Sequence, residues 1–120
     1  MTIKKATAIV FSPCGSTEKT TQYLVDNLPI DVEHHNLTLP DSRKEKLSFD
    51  EHTLVFFAFP VYGGLPKVTK KILENARSDN TPAVYVAVRG YTEPGGFYIS
   101  LNDILSAQGF IPVGAVAAVA

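Results

Sequence analysis

Apolar residues in this chain fall into blocks whose internal spacing alternates between strand-like and helix-like. Residues 6 to 12, Ala-Thr-Ala-Ile-Val-Phe-Ser, form a continuous apolar run with β-branched members, the mark of a strand buried on both faces. From Thr17 to Leu28 the apolar positions Tyr23, Leu24 and Leu28 recur at helical spacing, with Glu18 in the first turn and Pro29 as a stop. Asp31 to Leu39 has the pattern of a shorter, more polar strand suited to a sheet edge. Residues 40 to 52 form a polar connection with too few long apolar positions for a full helix. Thr53 to Phe59 is the most apolar strand and is predicted to be central. Pro60-Val61-Tyr62-Gly63-Gly64 breaks it before a helix from about Pro66 to Ala76. Pro82 to Val88 predicts another buried strand. A glycine-rich loop from Arg89 to Gly96, a helix through Ala107 and an apolar run from Ile111 to Ala120 complete the chain.

Strands separated by helical crossovers imply a parallel sheet with helices on both faces, because each parallel connection crosses over with one handedness. The predicted class is therefore α/β, a doubly wound five-stranded parallel sheet, as one domain over residues 1–120. In such sheets ligands sit outside the carboxyl ends of the strands. Ser12 to Thr17, Pro60 to Gly64 and Arg89 to Gly96 all follow strand ends, so three loops converge on one candidate site.

Composition narrows the partners. A 45% hydrophobic content is ample for a core in one domain of 120 residues. Eleven basic and twelve acidic side chains leave a net charge of -1, so no global field favours nucleic acid or an anionic membrane. The single cysteine, Cys14, excludes an internal disulfide and a cysteine-based zinc site and suits a reducing compartment. The N-terminus runs straight into a strand-like segment too short for a signal peptide or a membrane span, which places the expectation in the cytoplasm. His34, His35 and His52 have no metal-ligand spacing and are expected at the surface. Lys67, Lys70 and Lys71 fit the solvated face of a helix, or a docking site for an acidic protein.

The first loop favours a phosphate. A helix starting within or just after Ser12-Pro13-Cys14-Gly15-Ser16-Thr17 directs its unpaired N–H groups and positive dipole end into the turn. Gly15 lets backbone amides approach closely, and Ser12, Ser16 and Thr17 offer hydroxyls; a plain Ser or Thr helix cap is the simpler alternative. A Walker loop is excluded because Thr20 stands five positions after Gly15, where a glycine would be needed. No arginine lies between Cys14 and Arg43 to complete a phosphatase loop, and no Gly-x-Gly-x-x-Gly is present. A phosphorylation receiver would need clustered acids where this chain has Ser-Pro-Cys and Phe-Pro. In the second loop Tyr62 beside Gly63-Gly64 suits a flat heterocycle stacked on an aromatic face, or an ordinary strand-to-helix turn. The third loop adds Tyr91 and Phe97 around Pro94-Gly95-Gly96, with Arg89 as a charge; a loose glycine turn explains it equally.

In that chain order the three loops resemble the flavodoxin family, with strand order 2-1-3-4-5. Phe11 to Thr17, Leu37-Thr38-Leu39-Pro40 and Phe59 to Pro66 look like the flavodoxin-like half of fused flavodoxin-ferredoxin electron carriers. The resemblance implies a non-covalent FMN cofactor and an electron-transfer role. It implies a phosphate held by Ser12, Cys14 through its backbone, Gly15, Ser16 and Thr17. The flavin ring would lie against Pro60, Val61, Tyr62, Gly63 and Gly64 on one side and Arg89, Gly90, Tyr91, Gly96 and Phe97 on the other. The Gly63 peptide is the candidate to turn its carbonyl toward the reduced ring. A redox protein such as a ferredoxin or a reductase is the implied partner. Relatives of this kind are strongly acidic, and this near-neutral chain implies a different partner or potential. A last helix, normal after strand five, is lacking. The expectation is that a longer chain was cut here, before an iron-sulfur module, or that a second copy covers the exposed face as a homodimer. Two other readings fit the same residues: an FMN-dependent NAD(P)H oxidoreductase, and a flavin-free structural or interaction domain.

Overall fold

In the computed structural model, which describes residues 3–11, 16–37, 47–61, 73–74, 76–89 and 95–119, the apolar blocks become strands of a parallel sheet. In chain order the elements are β1 (Lys5–Val10), α1 (Ser16–Val25), β2 (Val32–Asn36), β3 (Leu47–Phe49), β4 (Thr53–Val61), β5 (Ala76–Ser78), β6 (Thr81–Arg89), α2 (Gly95–Ala107) and β7 (Phe110–Val119). Five strands pair in the order β2-β1-β4-β6-β7, all parallel, with β4 at the centre. The expected order 2-1-3-4-5 numbered only five strands. Two short ones, β3 and β5, also form and pair with each other in a separate two-stranded sheet.

Strand alternation sorts the core into two layers. Ala6, Ala8, Val10, Phe56, Ala58, Val86 and Val88 face one way and bury Val25 of α1 among them. Ile9, Val55, Phe57, Phe59, Tyr85 and Ala87 face the other way and meet Leu101 and Leu105 of α2 together with Leu73. The two helices thus cover opposite faces, as an α/β sheet buried on both sides requires. The α1 side is lined largely by small side chains, which suits a helix whose buried positions include Thr17 and Thr21. The Thr21 hydroxyl donates to the Thr17 carbonyl at 2.8 Å and so enters the core satisfied. Across the sheet, Phe57 meets Phe110 edge to face, ring centres 5.0 Å apart.

Several boundaries differ from the sequence-based expectation, each for a local reason. Helix α1 ends at Val25 rather than Leu28, and Tyr23, expected on its apolar stripe, is 74% exposed. The fully buried stripe is Thr17, Thr21 and Val25, spaced by four and with two polar members, while Leu24 and Leu28 pack partly buried against the same core as expected. The expected first strand stops at Val10, two residues short of Ser12. Pro60 does not break the third long strand, because β4 runs on to Val61. The Ala58 carbonyl accepts from Phe11 N–H at 3.1 Å, so the backbone of Pro60, two residues on, faces the same side, where β1 has already ended. Its missing N–H therefore costs no ladder bond. Ala76, expected to close a helix, opens β5; Leu73 and Glu74 are helical. Arg89 is the last residue of β6, and Gly96 and Phe97 lie within α2, so the third loop is shorter than expected. The second strand is shorter than Asp31 to Leu39, spanning Val32–Asn36, and lies at a sheet edge as its polarity implied.

Candidate functional site

All five strands are parallel, so their carboxyl ends share one margin of the sheet, and register gives that margin a step. Val10, the end of β1, pairs with Ala58 of β4 and with Asn36, the end of β2. One bond continues beyond each pair: Phe11 N–H to Ala58 O, and Leu37 N–H to Val10 O at 2.7 Å. Strand β4 goes on to Val61, which pairs with Arg89, and Arg89 pairs with Val119. The wall made by β4, β6 and β7 therefore stands about 10 Å above the ends of β1 and β2, at ~3.3 Å per residue. The step falls where the chain order reverses, with β1 joined to β2 on one side and paired with β4 on the other, the switch point at which open α/β sheets bind ligands.

Both helices begin at this margin. Residues 12–15 alone separate Phe11 from the start of α1, and residues 90–94 alone separate Arg89 from the start of α2. The first-turn N–H groups of each helix lack intrahelical acceptors, and each positive dipole end favours negative charge beside it. Because α1 and α2 lie on opposite faces, such donors approach the margin from both sides of the sheet. Glu18, in the first turn of α1, lines a cleft on the β2 side with Val10, Thr21, Gln22, His34, His35 and Asn36.

Of the residues expected in the site, the structure brings together the backbone of Ser16 and Thr17 at the start of α1, Pro60 and Val61 at the end of β4, Arg89 at the end of β6, and Gly96 and Phe97 in the first turn of α2. Thr17 is buried, 2% exposed, and Pro60 is buried, so each meets the margin chiefly through its backbone. Ser12, Cys14, Gly15, Tyr62, Gly63, Gly64, Gly90 and Tyr91 lie outside the described residues, as do Lys67, Lys70 and Lys71. Phe11 and Tyr98 were not singled out, yet both pack partly buried against the α2-side core beside this margin. The signal for Phe11 was present: it is the last apolar residue before the hydroxyl-rich stretch.

Among the described residues, the perturbed ionisable groups lie elsewhere. Burial pushes the Tyr85 phenol up to about 12, and its hydroxyl donates to Asn102 Oδ1 at 3.2 Å within the α2 side. Asp50, at the opposite end of β4, is held below its ordinary 3.8, first by the His52 backbone N–H donated to Oδ1 at 3.0 Å. Among the described residues, His34 is exposed, His35 Nε2 lies 3.0 Å from Glu33 Oε1, and no group of three His, Cys, Asp or Glu side chains is placed to hold a metal. No helix among the described residues is long and apolar enough to cross a membrane. The margin accordingly offers backbone donors, helix termini and apolar walls, which suit binding and orienting an anionic, partly apolar ligand. Comparison of the chain with models of protein families, with curated proteins and with solved structures found no match to any of them.

Proposed function

We propose that this chain is a flavodoxin-like domain that binds FMN without a covalent link and passes electrons to and from a redox protein. The observation that carries the reading is the stepped carboxyl margin at the β1/β4 switch point, with the N-termini of α1 and α2 on its two sides. The donor set fits the cofactor. A phosphate ester needs amide and hydroxyl donors without bulky side chains, and the start of α1 offers the amides of Ser16 and Thr17 directly after Ser12-Pro13-Cys14-Gly15 in the sequence. A flat ring needs an apolar wall. Here β4 rises beyond β1 through Pro60 and Val61, with Tyr62, Gly63 and Gly64 next in sequence, and Arg89 ends the adjacent strand, with Gly90 and Tyr91 next in sequence.

When bound, FMN supplies one- and two-electron redox chemistry. The chain's own work is to bind and orient. The helix termini would hold the phosphate by direct hydrogen bonding and dipole, and the buried strands behind the margin fix the residues at their own carboxyl ends. With a net charge of -1, the domain brings little long-range steering, so partner choice rests on short-range contacts around the margin.

The test is to add excess FMN to the purified chain, remove free ligand, and record visible absorption and fluorescence. Retained flavin with quenched emission is the expected result, and Ser12→Ala together with Ser16→Ala, which removes two hydroxyls expected at the phosphate, should weaken binding. A folded sample that retains no flavin overturns the assignment and leaves a flavin-free domain of the same architecture.

A further inference from the structure

The two edges of the sheet are built in opposite ways. Edge strand β2 is five residues long and carries Glu33, His34 and His35, the short and polar form by which proteins blunt a sheet edge. Edge strand β7 is ten residues long, Phe-Ile-Pro-Val-Gly-Ala-Val-Ala-Ala-Val, and no described strand pairs with its outer side. From Ile104 to Ala120 the sequence holds no Asp, Glu, Lys or Arg. Ile111 and Val113 are 41% and 57% exposed, and Gly114, Ala115 and Ala117 are exposed as well. Such an edge presents a row of backbone donors and acceptors to another strand.

The sequence of β7 selects which strand. Read outward from Val116, it is nearly the same in both directions: Ala115 and Ala117, Gly114 and Ala118, Val113 and Val119. In an antiparallel pair about a two-fold axis through Val116, each of these residues faces its counterpart, Val116 faces itself, and no charge or bulky side chain opposes the approach. The irregularity near Pro112 and Val113, where the register against Ala83 and Val84 shifts, leaves Val113 out of the regular ladder and confines regular pairing about Val116 to Gly114 through Ala118. We infer that β7 is an isologous interface: two copies of this chain join antiparallel along β7, centred on Val116, into a continuous ten-stranded sheet. The carboxyl margin of each copy then remains open, so the pairing is independent of cofactor binding.

Sedimentation velocity of the purified chain over a wide concentration range tests the association, and cysteine crosslinking tests its register. Dimer is expected for the natural chain. The exposed pair Ala115→Lys with Ala117→Lys sets like charges opposite each other across the axis and should weaken dimerisation at least about tenfold while circular dichroism stays unchanged. Val116→Cys should form an interchain disulfide on mild oxidation, because directly opposed antiparallel residues lie about 4.5–5.5 Å apart, within disulfide reach. Ile111→Cys, displaced from the axis, should not, and neither should the natural chain, whose only cysteine is Cys14. A monomer at every concentration overturns the inference. So does a dimer indifferent to the two lysines, or one that crosslinks through Ile111→Cys and not through Val116→Cys.

Discussion

Gly109 follows the last turn of α2 with φ of +97°, and a Cβ built there would overlap the carbonyl oxygen of Ser78. Both the left-handed backbone and the close approach require glycine. Gly109→Ala is expected to cost about 2–4 kcal/mol, combining backbone strain with displacement of the β5 end, read as a lower urea midpoint at unchanged slope. Asp50 makes a different demand. Its carboxylate accepts from His52 N–H at 3.0 Å and from the Thr53 hydroxyl at 3.1 Å, pinning the turn that starts β4. The His52 N–H is the main cause of its lowered pKa, and the Thr53 hydroxyl and the charges of His52 and Lys5 add to it. A depressed carboxyl stabilises the fold above its unfolded value of 3.8 and loses that contribution as pH falls through the folded value. Asp50→Asn should therefore melt below the natural chain at neutral pH, with the gap closing as the melts are repeated at pH values under 3.8. A gap that stays constant with pH would assign the effect to shape rather than charge.

At the scale of elements, the junction between α2 and β7 is held by one side chain. Gln108 Nε2 donates to the Leu73 carbonyl at 2.7 Å and also to the Ala76 carbonyl, tying the end of the helical residues 73–74 and the start of β5 to the turn after α2. Gln108→Ala strips a donor from two carbonyls at once and should cost about 1–3 kcal/mol, with faster amide exchange in β5 as the local sign. Nothing in the sequence marked this glutamine, since its partners lie more than thirty positions away. What was legible followed from burial. Strands β4 and β6 are apolar at nearly every position because both faces are covered, and a continuous apolar run is readable without knowing the fold. The inner stripe of α1 was legible only in part: Leu24 and Leu28 pack against the core, but Thr17 and Thr21 are buried polar residues and Tyr23 turns outward. Strands β3 and β5, three residues each, are too short for any periodicity to show. The loop chemistry of the candidate site could be read directly, whereas the step in its margin comes from register, which no single segment encodes.

For the molecule as a whole, strand order also governs how the chain must come together. No two neighbours in the main sheet are joined by a hairpin; the pairing closest in sequence joins Ala6 to Val32, 26 residues apart, and β1 meets β4 through pairs such as Lys5 and Thr53, 48 apart. Every strand contact therefore closes a long loop before it returns any hydrogen bond, and the first-made strand, β1, ends up inside the sheet between two that follow it. During synthesis β4 emerges with one finished neighbour and stays bare on its other side until β6 has been made. Phe56, Phe57 and Phe59 sit on that waiting strand. Its high contact order makes folding intrinsically slow, and the interval in which the central strand lacks β6 is the one in which the nascent chain is most open to aggregation.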